Sequence, residues 1–348
     1  MSKLSDLSES HDNNFNLIRF GAALGVFISH CFPLSGYSFG GKPQLLGFIS
    51  LNVFFIISGF LVTKSYFNQK GAFNYLHARV LRVFPALFLA VIYSVFVIGA
   101  MFTTLPIIDY LKEISVYEYL VKNLLVILPN TPDHLPNVFL DSKYRPIVNA
   151  PLWSLPYEVW CYVALLILAI LTSARSNMKL FIIVIVTLLV ISYSVFIANY
   201  LHSTSKYALF FDKEAYRLSA MFLIGSCLYL FRNKIKITYL VACAILILIA
   251  VSSLYKPIFV VLTYASLGYL LLFFAYIPAG HIRQFNKLGD YSYGIYIFGY
   301  PTQQALEQVV PDLSLPIFFV ISFSITLLLA VLSWHLIEKR ALSRKLVG

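Results

Sequence analysis

The hydrophobic positions of this chain fall into ten long stretches that are separated by polar segments. Each stretch is about 17–25 residues long, which is the length a helix needs to cross the hydrocarbon core of a bilayer. The stretches cover residues 15–36, 47–66, 81–104, 151–172, 178–200, 215–231, 237–253, 257–277, 289–309 and 314–337. This pattern predicts an all-α, polytopic integral membrane protein with about ten transmembrane helices.

The composition of the chain supports lipid as its solvent. Hydrophobic residues make up 59% of the 348 residues, charged residues only 12%, and the mean hydropathy is +0.80. A soluble domain carries about 25% charged residues, roughly twice this fraction. The four cysteines lie scattered in apolar runs without the spacing of metal ligands, so we expect no metal.

The basic residues predict the orientation of the helices. With the N-terminus inside, the inner segments hold 16 Lys and Arg residues and the outer segments hold 9. Basic residues accumulate on the cytoplasmic side of membrane proteins, so the net charge of +11 indicates topology rather than binding to nucleic acid. An even helix count then places both termini in the cytoplasm, with tails at 1–14 and 343–348 around a membrane domain at 15–342. Residues 1–14 lack the features of a signal peptide, so the first helix is the expected targeting signal.

The longest connection covers residues 105–150 on the predicted outer side, and it is rich in Pro, Asn, Asp and Tyr. Long loops in compact proteins commonly serve as lids or binding surfaces. A tolerated insertion is the alternative, and the sequence leaves both open.

Two ionisable residues lie within the first predicted helix. Arg19 and His30 are 11 residues apart, which is about three turns, so both project from nearly the same face, roughly 16 Å apart. Ionisable groups inside a membrane span are costly and often functional. A neutral imidazole can accept a proton from a hydroxyl, although a hydrogen-bonded structural histidine is the alternative.

Arg79 and Arg82 lie at the inner membrane surface, three residues apart on one helix face. Two guanidinium groups at this spacing suit phosphate or pyrophosphate, which arginine binds through two parallel hydrogen bonds. Basic residues also anchor helices at this boundary, and spacing alone does not decide between the two roles.

The fourth predicted helix begins with Pro-Leu-Trp-Ser-Leu-Pro-Tyr-Glu-Val-Trp at residues 151–160. Glu158 lies a turn or two below the predicted outer surface, at a depth comparable to that of His30. A carboxylate near an imidazole holds its tautomer and stabilises its charged form. The aromatic residues around Glu158 fit either an interfacial belt or a surface on which a sugar ring stacks.

These segments together resemble the membrane-bound acyltransferase family 3, whose members O-acylate polysaccharides and other molecules. The resemblance covers about Asn14 to Leu342. Its motifs are Arg19 with His30, Phe-Phe-Ile-Ile-Ser-Gly-Phe-Leu at 54–61, Arg79 with Arg82, the segment from Trp153 to Glu158, and Ser-Tyr-Gly-Ile-Tyr at 292–296. Each motif is weak alone, but five in the right order on one topology are specific.

The resemblance implies transfer of an acyl group, most often acetyl from acetyl-CoA, to a hydroxyl of a cell-envelope glycan such as lipopolysaccharide O-antigen or exopolysaccharide. It implies a multi-pass protein of the bacterial inner membrane, with the bilayer, the acyl-CoA and the glycan as partners and no metal. His30 is then the catalytic residue, with Glu158 as its partner. The CoA phosphates are expected at Arg19, Arg79 and Arg82. The acceptor is expected at Asn149, Trp153 and Tyr157.

Two features depart from some members of the family. A histidine that follows the tyrosine-rich motif in some members is absent here, where residues 298–304 read Phe-Gly-Tyr-Pro-Thr-Gln-Gln. Some members also carry a C-terminal hydrolase-like domain, whereas this sequence ends at Gly348. We therefore expect the chain to finish the transfer itself or to hand the acyl group to a partner.

Two other classes of function remain open from the sequence. One is a transporter or flippase of an anionic or acylated small molecule, in which the buried Arg and His residues line a path. The absence of visible inverted repeats weighs against it. The other is a scaffold subunit of a glycan-assembly complex, with purely structural buried charges.

Overall fold

The computed structural model describes residues 3–10, 12–37, 42–69, 71–127, 131–201 and 213–344. Within these residues the chain is helical, and its β-structure is limited to two isolated bridges, Lys3 with Lys236 and Thr103 with Val138. The predicted all-α class is confirmed.

The first seven α-helices are α1 Leu4–Glu9, α2 Phe15–Leu34, α3 Lys42–Asn68, α4 Ala72–Ile92, α5 Ala100–Phe102, α6 Ile107–Lys112 and α7 Ile114–Leu125. The other eight are α8 Leu155–Leu171, α9 Met178–Leu201, α10 Lys213–Leu230, α11 Tyr239–Ser252, α12 Lys256–Tyr276, α13 Ser292–Val309, α14 Leu315–Ser333 and α15 Lys339–Ser343. A π-helical segment, Tyr93–Gly99, joins α4 to α5, and a second, Trp334–Glu338, joins α14 to α15. The connection at 105–150 thus contains two helices of its own, α6 and α7.

Seven helical segments in the described part of the chain are long and apolar enough to cross a membrane. They are Phe15–Leu34, Gln44–Asn68, Ala72–Phe102, Ala150–Leu171, Met178–Tyr200, Pro257–Tyr276 and Leu315–Ser343. The other three predicted stretches form α10, α11 and α13. Helix α11 has only 14 residues, and α10 and α13 contain buried polar and charged side chains. The protein is therefore a multi-pass membrane protein, and the count of about ten spans stays a prediction.

The chain divides into two compact units. Unit 1 comprises the described parts of Met1–Arg19, Asn52–Ala72 and Cys161–Leu288, and unit 2 those of Phe20–Leu51, Phe73–Trp160 and Gly289–Gly348. Unit 1 contains a buried charge, Arg217, which donates hydrogen bonds to Glu214 and to the side-chain oxygen of Asn52. An arginine buried among apolar helices needs such partners because desolvation of an unpaired charge is costly.

Small residues let two helices of unit 1 approach closely. Gly59 of α3 faces the carbonyl group of Phe222, and Gly225 of α10 faces the carbonyl group of Ile56, so that a Cβ atom at either glycine would overlap backbone atoms. Beside this contact Thr63 donates a hydrogen bond to Ser226 at 3.0 Å. Glycine, serine and threonine at helix contacts are typical of membrane bundles. Gly59, within the motif at 54–61, therefore allows close contact between α3 and α10.

Replacing Gly59 by alanine is expected to lower the melting temperature and the yield of folded protein. Backbone atoms of Phe222 cannot move aside as a flexible side chain would, so overpacking should cost about 1–3 kcal/mol or more. Gly21→Ala is the matched control, because its Cβ would enter open space. Thermal melting of the detergent-purified variants measures the effect, and an unchanged melting temperature for Gly59→Ala would contradict this packing.

Unit 2 is organised around the contact of α13 with α14. Gly294 lies against Ala330, where a Cβ would be 2.7 Å from the Cα and Cβ atoms of Ala330. The aromatic ring of Phe27 from α2 packs edge-on against Phe319 and Phe323 of α14. Most of α13 is buried, including the polar side chains of Gln303, Gln304 and Glu307. These polar groups therefore face protein rather than lipid.

Candidate functional site

A cavity of about 230 Å³ in unit 2 contains the side chain of His30. Its walls come from α2, from the start of α3, from the chain at 144–153 and from α13. The lining includes Ser29, Tyr144, Trp153, Tyr296 and Tyr300, and the rest is mostly apolar. A concave, aromatic pocket with a few polar groups is the usual form of a small-molecule site. The structure therefore brings two of the predicted site residues, His30 and Trp153, into one cavity.

Tyr300 of α13 contacts the imidazole of His30. The two rings meet edge to face, with centroids 5.0 Å apart, and Tyr300 is only 1% exposed. Sequence reasoning missed Tyr300, because it noted only the missing histidine in the segment 298–304. The spacing of Tyr296, Tyr300 and Gln304, each four residues after the last, was the available signal, since such residues share one helix face.

Gln304 forms hydrogen bonds with the segment 142–147, which supplies part of the cavity wall. Its amide nitrogen donates to the carbonyl oxygens of Arg145 at 2.6 Å and Ile147 at 2.9 Å, and its amide oxygen accepts from the hydroxyl of Ser142 at 2.9 Å. Ile147 itself lines the cavity. A buried glutamine thus shapes a segment that has no regular secondary structure of its own.

Asn149 fills a hydrogen-bonding gap that a proline creates in α13. Pro301 has no N–H, so the carbonyl oxygen of Ile297, four residues earlier, lacks its helical partner. The side-chain nitrogen of Asn149 donates to this oxygen at 2.9 Å. Asn149 is 2% exposed and lies just before the cavity wall at Ala150. Its expected role in acceptor binding stays a prediction, and the structure gives it this positioning role.

Trp153 reaches the cavity from a short 3-10 turn, Ala150–Ser154, that leads into α8. Tyr296 fixes this turn, because its hydroxyl lies 3.1 Å from the carbonyl oxygen of Pro151 and 2.7 Å from the hydroxyl of Ser154. The ring of Tyr157 packs edge-on against Trp153, with centroids 5.8 Å apart, and is almost fully buried. Tyr157 thus contacts the tryptophan ring, and Tyr296 fixes the turn that carries it.

Glu158 lies in the first turn of α8, five residues after Trp153, and is half-buried. Glu158 is not among the described residues that line the cavity of His30. Its partnership with His30 therefore stays a prediction.

Arg82 forms an ion pair inside unit 2. Its guanidinium lies 2.6 Å from a carboxylate oxygen of Asp290, whose other oxygen accepts from the hydroxyl of Ser292 at 2.5 Å. The side chains of Arg82 and Asp290 are 20% and 6% exposed. Arg79 lies one turn earlier on α4 and is half-buried. The structure therefore places Arg82 beside the start of α13.

Glu338 adds a second carboxylate to this region. It is 3% exposed, accepts a hydrogen bond from Ser333 at 2.8 Å, and interacts electrostatically with Arg82 and Asp290. Its π-helical segment, Trp334–Glu338, is a distortion that occurs frequently at functional sites. Glu338 is therefore a buried carboxylate of unit 2.

Arg19 belongs to unit 1 and is half-buried in α2, so its expected contact with CoA stays a prediction. Clusters of three or more His, Cys, Asp or Glu side chains that would suit a metal ion are absent from the described residues.

Comparisons with known proteins identify the family of the chain. A family model described as an acyltransferase domain matches residues 12–335. The chain therefore belongs to acyltransferase family 3, and it is a multi-pass membrane acyltransferase.

Two relatives illustrate the family. The chain is 27% identical to an O-acetyl transferase of Shigella phage Sf6 over 350 residues, covering 95% of this chain and 96% of the relative. It is 35% identical to Nodulation protein 10 of Rhizobium leguminosarum bv. viciae over 127 residues, which is 34% of each chain. No solved structure matches the chain.

Proposed function

We propose that the protein transfers an acetyl group from cytoplasmic acetyl-CoA to a hydroxyl of a cell-envelope glycan such as lipopolysaccharide O-antigen or exopolysaccharide. It does so in the bacterial inner membrane with both termini in the cytoplasm. Family membership supports acyl transfer, and the full-length relative named O-acetyl transferase supports an oxygen acceptor. The observation that carries the proposal is His30 in an aromatic cavity together with Trp153.

The donor enters near the start of α13, where Arg82 of α4 pairs with Asp290. Arg79 and Arg82 hold the phosphates of CoA, and Arg19 attracts the same anionic group. Ten residues separate Asp290, the partner of Arg82, from Tyr300, the partner of His30, which corresponds to about 15 Å along a helix. The linear arm of CoA is suited to this arrangement, because it separates the charged phosphates from the reactive thioester.

The acceptor occupies the aromatic cavity. Sugar rings present apolar C–H faces that pack on aromatic side chains, and Trp153 and Tyr144 supply such surfaces. Tyr157 packs on Trp153, and Asn149 is hydrogen-bonded to Ile297 of α13, so both help to position the residues around the acceptor. A glycan therefore fits the cavity better than a small inorganic anion, for which the lining offers few cationic groups.

His30 removes the proton of the acceptor hydroxyl as its oxygen attacks the thioester carbonyl carbon. The new C–O bond forms, the carbonyl oxygen takes up the negative charge, and Glu158 stabilises the imidazolium. The C–S bond then breaks, and the proton on His30 passes to the departing sulfur of CoA. The same residues also serve a two-stage route in which His30 carries the acetyl group.

Membrane vesicles from bacteria that express the protein test the proposal. Vesicles with an accessible cytoplasmic face receive acetyl-CoA labelled in the acetyl group, and label in the glycan fraction is counted before and after mild alkali, which releases O-acetyl esters. We expect alkali-labile label and free CoA in equal amounts. Label that stays in acetyl-CoA and only crosses the membrane would contradict acyl transfer and favour a transporter.

A further inference from the structure

One of the tyrosines that line the cavity has a buried hydroxyl without a partner among the described residues. The hydroxyl of Tyr300 is buried and forms no hydrogen bond with any of the described residues, although the tyrosine lines the cavity beside His30. Buried hydroxyls in native proteins are almost always hydrogen-bonded, and the exceptions call for an explanation such as a catalytic role. An occupant of the cavity would supply the missing partner.

The other buried hydroxyls of the cavity wall are already engaged. Ser29 donates to the carbonyl oxygen of Val26 at 2.7 Å. The hydroxyl of Tyr296 lies between the oxygens of Pro151 and Ser154. Among the buried hydroxyls that line the described cavity, Tyr300 is therefore the donor that remains for a bound molecule.

We propose that Tyr300 is a catalytic residue, whose hydroxyl donates a hydrogen bond to the acyl carbonyl oxygen as that oxygen becomes negative. This inference rests on the proposed function. The edge-to-face contact sets the phenol and the imidazole beside the same space, so one reacting carbonyl group meets both. The two side chains divide the chemistry, since the imidazole receives a proton and the neutral phenol donates a hydrogen bond.

The step balances without any further reactant. The acceptor oxygen bonds to the carbonyl carbon while its proton moves to His30, and the carbonyl oxygen gains the electron pair of the C=O π bond. Tyr300 keeps its own proton and stabilises that oxygen through the hydrogen bond. When the carbonyl re-forms, the C–S bond breaks, the thiolate takes the proton from His30, and Tyr300 returns to its starting state.

The variant Tyr300→Phe tests the proposal, because it removes the hydroxyl and keeps the ring that packs on His30. In the vesicle assay we expect kcat to fall by about 10²- to 10³-fold, the effect of losing one oxyanion donor. KM for acetyl-CoA should stay within about twofold, because the hydrogen bond strengthens only in the transition state. The melting temperature should be equal or higher, since the variant loses an unsatisfied buried group.

Tyr119→Phe is the matched control, because Tyr119 is fully buried in unit 2 but does not line the cavity. Its kcat should stay within about twofold of wild type. A kcat for Tyr300→Phe within about threefold of wild type, or a rise in KM alone, would overturn the role of Tyr300 while the active wild type upholds acyl transfer. An inactive wild type would instead refute the proposed function.

If Tyr300→Phe does not fold, 3-fluorotyrosine at position 300 gives a second test. The fluorine makes the phenol a stronger acid and barely changes its size. A catalytic donor should then change kcat without changing KM for acetyl-CoA. A kcat equal to that of 3-fluorotyrosine at position 119 would overturn the proposal.

Discussion

Replacing His30 by alanine is expected to lower the acetyl-transfer rate by about 10²- to 10⁴-fold, which is the contribution of one general base. The acceptor hydroxyl is a poor nucleophile until its proton is removed, and His30 is the only imidazole among the residues that line the described cavity. The protein should still fold, because the imidazole of His30 makes a ring contact with Tyr300 but no hydrogen bond to a described residue. Initial rates of alkali-labile labelling measure the loss.

His134→Ala serves as the histidine control for this experiment. His134 lies in the same unit, is about half exposed, and pairs with Asp133 rather than with the cavity. Its variant should label glycan at the wild-type rate. A well-folded His30→Ala protein with full activity would remove the catalytic role of this residue and leave the scaffold hypothesis as the better explanation.

The sequence predicted the helices well because the bilayer imposes a simple rule on them. All ten apolar stretches coincide with helices, since a backbone in lipid must satisfy its own hydrogen bonds. The boundaries differ where polar residues continue a helix beyond the apolar core. Helix α4 begins at Ala72, nine residues before the predicted stretch at 81–104, so Arg79 and Arg82 lie well inside a helix.

The candidate site was only partly predictable, because its contacts join residues that are distant in the chain. His30 and Trp153 are residue types that stand out in or beside a predicted membrane span, so the sequence indicated both. The roles of Tyr300, Gln304 and Asn149 depend on the contacts between α13 and other parts of the fold, such as the segment at 142–154. The periodicity of hydrophobic residues does not specify those contacts. The missing N–H of Pro301 was the one local clue, since it requires a donor from elsewhere in the fold.

Arg82→Ala is expected to destabilise the protein by about 3–5 kcal/mol, because it removes the guanidinium that forms an ion pair with the buried carboxylate of Asp290. Asp290→Ala should cost a similar amount for the converse reason. The exposed pair of Lys112 and Asp109, with side chains 73% and 60% exposed, provides the control. Its removal should cost at most about 1 kcal/mol. Thermal melting of the purified variants compares the two pairs, and equal losses would contradict a buried ion pair at Arg82.

The double variant Arg82→Gln with Asp290→Asn separates donor binding from anchoring, which the sequence left open for the arginine motif. Two neutral amides can still hydrogen-bond to each other, so folding should largely recover relative to Arg82→Ala. Without the guanidinium, KM for acetyl-CoA should rise by about 10- to 100-fold, the loss of one charge-assisted hydrogen-bonding group to phosphate. The rise should shrink at high salt, where wild-type binding weakens too. If Arg82 only anchors its helix, the refolded double variant would keep the wild-type KM, and the CoA phosphates would have to be bound elsewhere.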